Sequence, residues 1–93
     1  MINLEQRTYN EINKDLAERV AKLRKRRKLS QQNLAQKSGV SFGSVKRFEQ
    51  TGDISLQSLT KIAIALEVEG ELEYLFSQVP YESLEELLNE QGR

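Results

Sequence analysis

Two adjacent cations, Lys46 and Arg47, stand in a stretch whose other residues are mostly small, polar or apolar. Residues 30–50 have the pattern of two short helices joined by a tight turn, and the second helix carries both cations outward. This layout is how a small domain presents one helix to the major groove of DNA. The residues available to face outward or toward the helix ends are Ser41, Phe42, Gly43, Ser44, Lys46 and Arg47.

Three residues are expected to give this unit its geometry. Two helices that cross closely need a small residue where they touch, and Ala35 is expected at that point. Gly39 follows the first helix where the backbone must be left-handed, a conformation that a residue without Cβ adopts at low cost. Val45 is expected to anchor the second helix on the core. It shares an apolar inner side with Leu34, Val40 and Phe48.

The charge of the chain is uneven although its net value is zero. Residues 16–50 hold ten lysines and arginines against two acids, whereas residues 51–93 hold nine acids against two basic residues. A basic middle beside an acidic C-terminal part is typical of a nucleic-acid-binding face next to a separate surface that avoids DNA. The densest basic run consists of Lys22, Arg24, Lys25, Arg26, Arg27 and Lys28.

The composition excludes several classes of site. The chain has neither cysteine nor histidine, which rules out disulfides, cysteine or histidine metal sites, and triads built on an imidazole or a thiol. Ser44 and Lys46 face different sides of a helix, so they do not form a catalytic pair. We therefore expect no enzymatic activity, no metal and no cofactor. The N-terminus lacks a secretory leader and no segment is apolar enough to span a bilayer, which predicts a cytoplasmic protein without membrane association, found on the nucleoid when bound to DNA.

The helix boundaries are predicted from capping residues. Thr8 and Glu11 match a capping box, which starts a first helix near Tyr9 and lets it run to about Arg27, although Asn13 is a rival cap. Serine hydroxyls are expected to cap the next three helices, and Gly52 to end the third. These serines are Ser30, Ser41 and Ser55.

The C-terminal part is predicted to continue as helices. From Leu56 an apolar stripe, widened by Ile64 and Ala65, indicates a central fourth helix that Gly70 breaks. Leu72, Leu75 and Phe76 indicate a fifth short helix that Pro80 stops. A second capping box at Ser83 opens a last helix. We expect one domain with an N-terminal arm (1–8), a helix-turn-helix core (9–76) and a C-terminal extension (77–93).

Taken together, these features resemble the lambda-repressor-like helix-turn-helix family, often described as XRE-type regulators. The resemblance covers residues 16–76 and implies an all-α, five-helix domain, here with an N-terminal extension of helix one and a short C-terminal helix. Its markers are Leu23-Arg24, Leu29-Ser30-Gln31, Leu34-Ala35, Gly39-Val40-Ser41, Val45, Phe48-Glu49 and Leu59-Lys61-Ile62-Ala63-Ala65-Leu66. Within the family, residues 44–56 look most like antitoxin-type repressors encoded beside a kinase-like persistence toxin, because the loop between helices three and four is short and lacks proline.

The resemblance implies roles for single residues. Gln31 is expected against a phosphate at the start of helix two, where the helix dipole is positive. Arg47 is the best candidate to read a base, since a guanidinium donates to both O6 and N7 of guanine, whereas Lys46 is expected on a phosphate. Phe42 offers only apolar contact, with packing against a neighbouring helix as the alternative. The full predicted DNA-binding set is Gln31, Ser41, Phe42, Gly43, Ser44, Lys46 and Arg47, with Arg27 and Lys28 from the basic run.

Arg24 and Glu49 match a pair that in relatives joins helix one to the end of helix three, so they are expected to act structurally. The predicted function is a sequence-specific, double-stranded-DNA-binding repressor, acting as a homodimer on a palindromic operator. The alternative is an antitoxin-type interaction module that neutralises a toxin partner and autoregulates its operon. The dimer contact is expected among C-terminal apolar residues, unless the last helix folds back on its own core. These residues are Leu72, Leu75, Phe76, Val79, Tyr81, Leu84, Leu87 and Leu88.

Overall fold

The computed structural model describes residues 6–78, 80 and 84–91, and over these residues the chain is helical without a strand. The predicted all-α architecture is therefore confirmed. None of the described helices combines the length and apolar character that crossing a membrane requires. The six helices are α1 (Tyr9–Arg26), α2 (Gln31–Ser38), α3 (Phe42–Thr51), α4 (Leu56–Ala65), α5 (Glu69–Tyr74) and α6 (Leu84–Gln91).

The first four helices begin at the predicted capping residues. Thr8 Oγ1 accepts a hydrogen bond from the Glu11 backbone N–H at 3.2 Å. Each hydroxyl satisfies a backbone N–H that has no partner inside its helix, which explains why the helices start there. In the same way Ser30 caps α2, Ser41 caps α3 and Ser55 caps α4.

The core lies where α1 and α2 pack on α3, and α2 on α4. Its largest fully buried side chains are those of Phe48, Leu34, Ile62, Leu66 and Val45. Ala35 is buried at the contact between α2 and its neighbours, as expected from its size. The apolar inner side predicted for the second helix of the unit is thus confirmed.

Two helices, α4 and α1, end in a Schellman motif whose left-handed residue is not glycine. At the end of α4, Glu67 has φ +61°, while its N–H bonds to Ile64 O and the N–H of Val68 bonds to Ala63 O. This pair of bonds defines a Schellman motif. The end of α1 repeats it, because Lys28 has φ +59°, its N–H bonds to Lys25 O, and the Leu29 N–H bonds to Arg24 O.

The prediction that Gly70 breaks the fourth helix is wrong. Helix α4 ends at Ala65, and Gly70 lies inside α5. The chain turns earlier because the Schellman motif places Val68 against the core, and its left-handed residue, Glu67, is a type that sequence patterns do not mark as a helix end. The prediction that Ile64 and Ala65 widen the apolar stripe is confirmed for Ala65, which is buried, and is wrong for Ile64, which is exposed.

The prediction that Pro80 stops the fifth helix is wrong, because α5 already ends at Tyr74, and Phe76 follows it with φ +59°. The predicted last helix is present as α6, which is not among the helices that pack on the core over the described residues. The capping box at Ser83, the dimer candidates Val79 and Tyr81, and residues 1–5 of the N-terminal arm lie outside the described residues.

Candidate nucleic-acid interface

Helices α2 and α3 form the tight unit that the sequence predicts. Gly39 ends α2 with φ +78°, and its N–H donates to Ala35 O at 2.9 Å. The hydroxyl of Ser38 donates to the same carbonyl and accepts from the Val40 N–H at 3.2 Å. With Val40 and Val45 both buried, the turn and the start of α3 are held on the core rather than by the loop alone.

The outer side of α3 is open to solvent. All six residues predicted to face outward are exposed, and the apolar residues between them, Val45 and Phe48, are buried. Phe42 is 41 % exposed at the first turn of α3, so a large part of its ring is available for apolar contact. Gly43 has open space where a side chain would lie, so a backbone or a groove wall can approach it closely.

The two serines at the start of α3 bond to each other. Ser41 Oγ donates to Ser44 Oγ at 2.8 Å and accepts from the Ser44 backbone N–H at 3.2 Å. The Ser41 hydroxyl therefore acts first as a helix cap, and Ser44 keeps its own hydroxyl proton for an external acceptor. Both hydroxyls are exposed at the same end of the helix as Phe42.

Arg47 has an intramolecular partner that was not predicted. Its Nη2 atom lies 2.9 Å from Oδ2 of Asp53, and the two side chains are 71 % and 66 % exposed. Lys46, one residue earlier, has no ion pair among the described residues. The two cations of α3 therefore differ in charge environment as well as in geometry.

Gln31 is the first residue of α2, as predicted, but its side chain points into the protein. The Nε2 atom donates to Glu49 Oε1 at 3.0 Å. The same carboxylate accepts from Arg24 Nε at 2.7 Å and Nη2 at 3.0 Å. The backbone N–H of Gln31 lies in the first turn of α2, at the positive end of the helix dipole.

The Arg24 and Glu49 pair confirms the predicted link between the first and third helices. The two side chains are only 9 % and 10 % exposed, and Arg24 Nη1 also donates to Leu29 O at 2.7 Å. Burial raises the pKa of Glu49, but the hydrogen bonds from Arg24 and Gln31 outweigh it, so the pKa lies below its ordinary value. Glu49 therefore stays ionised at neutral pH and is fully used inside the protein.

Arg27, predicted on the DNA backbone, is paired with an acid. Its Nη1 atom donates to Glu67 Oε2 at 2.6 Å, which joins the Schellman ends of α1 and α4. That hydrogen bond, together with the charges of Arg27 and Lys37, holds the pKa of Glu67 below its ordinary value. Arg27 and Lys28 are both exposed, but Arg27 offers a neutralised charge to any phosphate.

The two acids that pair with candidate DNA-binding arginines, Asp53 and Glu67, are the site residues that sequence reasoning missed. Asp53 follows Gly52, the glycine that ends α3, so the chain turns back there toward the last turn of that helix. An acid at this position therefore predicts, from the sequence, a contact with a cation near the end of α3. Glu67 lies forty residues from Arg27 and gives no local signal.

The Helix-turn-helix family model matches residues 20–72 of the chain. This range covers more than half of the sequence and includes α2, α3, α4 and the turn between α2 and α3. No curated protein and no solved structure matches the chain at a significant level.

Proposed function

The chain belongs to the lambda-repressor-like, or XRE-type, helix-turn-helix family and is a DNA-binding transcriptional regulator, and we propose that it is a dimeric repressor that reads a palindromic operator with α3. The observation that carries this proposal is the outer side of α3, where polar, apolar and cationic side chains are exposed together on a helix whose opposite side is buried. A helix held this way can enter a major groove without unfolding its support.

Within this proposal Arg47 reads a guanine and Lys46 contacts a phosphate. A guanidinium donates two parallel hydrogen bonds to O6 and N7, worth about 1–3 kcal/mol of discrimination, whereas an ammonium lacks that fork. Phe42 supplies apolar contact to a thymine methyl, and Gly43 allows close approach. Ser41 and Ser44 contact the backbone or base edges near the start of α3. The readout rests on few side chains, so DNA shape also contributes.

The backbone contacts are assigned to the start of α2 and the end of α1. The N–H of Gln31 meets a phosphate through the positive end of α2 rather than through its side chain, which Glu49 occupies. Lys28 is exposed beside this terminus and is the stronger contact of the basic pair, because Glu67 neutralises Arg27.

Dimerisation follows from the small number of base contacts that one α3 makes. Two half-sites about 34 Å apart, one turn of DNA, supply the affinity that a single reading helix lacks. The apolar surface offered for this contact lies at the C-terminal end of α5, where Tyr74, Leu75 and Phe76 are exposed beside a shallow groove. Phe76 is 87 % exposed and follows the end of α5 in a left-handed conformation, as Lys28 and Glu67 do at the ends of α1 and α4.

Binding-site selection with the purified full chain at fixed salt tests the proposal. A palindromic consensus supports dimeric, specific binding, and equal binding to all sequences contradicts it. Arg47→Ala is expected to relax one base position in each half-site. Lys46→Ala is expected to weaken all duplexes about equally and to reduce the slope of log affinity against log salt by about 0.9. Phe76→Ala tests the dimer by sedimentation equilibrium, since loss of the dimer with α-helical content unchanged is the expected result.

A second candidate, an antitoxin-type protein that also binds a toxin, is favoured by the acidic surface of α5. Glu69, Glu71 and Glu73 are exposed and precede the exposed Phe76. A basic protein with an apolar pocket fits such a surface. Co-expression with the product of the adjacent gene tests this: a stable complex that Phe76→Ala disrupts supports it, and separate elution of the two chains contradicts it.

A further inference from the structure

We propose that Asp53 is a positioning residue that sets the base specificity of α3, because its carboxylate holds the Arg47 guanidinium in place and weakens its attraction to phosphates. This inference rests on the proposed function, since it requires that Arg47 contacts a base. It begins from the 2.9 Å ion pair between Arg47 Nη2 and Asp53 Oδ2. Both side chains are mostly exposed, and exposed ion pairs contribute little to folding stability, so stability does not account for this acid on the reading side of α3.

The backbone of Asp53 is fixed relative to α3. Its N–H donates to Thr51 Oγ1 at 3.1 Å, and that hydroxyl donates to Arg47 O at 2.8 Å. Gly52, which lies between Thr51 and Asp53, is buried with φ +81°, and a Cβ there would meet the backbone of Asn13 at 2.7 Å. The turn that presents Asp53 is therefore held by both α3 and α1, which fixes the backbone from which the carboxylate reaches Arg47.

The ion pair leaves the guanidinium able to read a base. Arginine carries five N–H donors, and the contact with Asp53 at Nη2 uses one of them. The remaining donors still include pairs with the spacing of O6 and N7 in guanine. An arginine that is already restrained loses less side-chain freedom when it binds, so the correct base gains affinity relative to the unrestrained side chain.

The same carboxylate acts against incorrect sequences. Binding to random DNA depends on the attraction between cations and phosphates. A guanidinium paired with Asp53 presents little net charge, and the carboxylate repels a phosphate that approaches it. Lys46, which has no ion pair among the described residues, keeps its full charge for the backbone. Adjacent cations on one helix are thereby divided between base contact and phosphate contact.

The test replaces Asp53 with asparagine, which has the same shape and no charge. Affinities of the full chain are measured by fluorescence anisotropy over a salt series for three duplexes: the selected operator, the operator with the guanine read by Arg47 replaced, and a random sequence. We expect Asp53→Asn to tighten binding to random DNA and steepen its salt slope by about 0.9, as Arg47 becomes free to meet a phosphate. Its preference for the operator over the substituted duplex is expected to fall roughly threefold to tenfold. This change corresponds to the lower part of the range of coupling energies between two side chains in contact.

Two comparisons separate this effect from a general change in charge. Glu18→Gln removes the same charge from an exposed position on α1 and is expected to leave the preference for the operator unchanged. The double variant Arg47→Ala with Asp53→Asn is expected to show the same preference for the operator as Arg47→Ala alone, because the side chain on which Asp53 acts is gone. Thermal unfolding of Asp53→Asn is expected to match that of the unaltered protein, since both partners are exposed.

The outcomes distinguish the two proposals. If the unaltered protein prefers the operator but Asp53→Asn tightens all three duplexes by one common factor, as is expected for Glu18→Gln, the role of Asp53 is refuted and the repressor function stands. A change of preference by Asp53→Asn that persists in the Arg47→Ala background refutes action through Arg47. If the unaltered protein binds all duplexes equally, the proposed function fails, and the assignment of Asp53 fails with it.

Discussion

Replacing Arg24 with alanine is expected to destabilise the fold by about 3 kcal/mol, because the change leaves a buried carboxylate without its cation. Three hydrogen bonds are lost: two to Glu49, at 2.7 and 3.0 Å, and one to the Leu29 carbonyl at 2.7 Å. Among the described residues no buried side-chain nitrogen or oxygen lacks a partner, so the network is complete before the change.

The magnitude follows from how deeply this pair is buried. Breaking a fully buried ion pair costs about 3–5 kcal/mol, and the lower end applies because water reaches the edge of a carboxylate that keeps Gln31 as a partner. For a domain of this size a loss of about 3 kcal/mol lowers Tm by roughly 12–24 °C. This loss is large relative to the free energy of unfolding of such a domain, which is only about 5–15 kcal/mol.

Urea unfolding followed by circular dichroism at 222 nm measures the effect. The matched control is Arg19→Ala, which removes the same side chain from an exposed position of α1 and is expected to change stability by less than about 0.5 kcal/mol. A double-mutant cycle with Glu49→Ala is expected to show a coupling energy of about 2 kcal/mol. An Arg24→Ala variant within about 1 kcal/mol of the unaltered protein, or additive single changes, would refute the reasoning that this pair joins α1 to α3.

Three further predictions concern the glycine that ends α3, the pKa of Glu49 and the ion pair between Glu67 and Arg27. Gly52→Ala is expected to cost at least about 2 kcal/mol in urea unfolding, since a Cβ at φ +81° would meet Asn13 at 2.7 Å, whereas Gly43→Ala, with open space around it, is expected to be neutral or stabilising. The pKa of Glu49 is lowered in the folded state, so its contribution to stability is complete above the unfolded pKa of about 4.3 and is lost as the pH falls through the folded value. Urea unfolding of the unaltered protein and of Glu49→Gln at pH 3 and pH 6 checks this. The variant is expected to lose less stability on acidification, and an equal loss in the two proteins would contradict the prediction. Glu67→Gln frees the Arg27 guanidinium and is expected to steepen the salt dependence of DNA binding by about 0.9, which a salt series on one duplex tests, with an unchanged slope as the contrary result.

Much of the fold was predictable because its signals are local. A serine hydroxyl caps a helix by reaching a backbone N–H three residues later, so Ser30, Ser41 and Ser55 mark helix starts whatever the rest of the chain does. Gly39 and Gly52 mark the ends of α2 and α3 for a similar reason, since both adopt positive φ. The end of α4 was missed because a glutamate takes the left-handed position there, and tertiary packing of Val68 rather than backbone freedom selects it.

The sequence by itself determined the helix-turn-helix unit and the outward direction of Lys46 and Arg47, since both follow from helical periodicity and from residues adjacent in the chain. Only the tertiary structure decided how the cations are used. It brings Glu67 to Arg27 across forty positions and draws Gln31 into the network of Arg24 and Glu49. The physical reason is that an ion pair depends on distances between loop ends and helix ends, and these distances are set by how the helices pack.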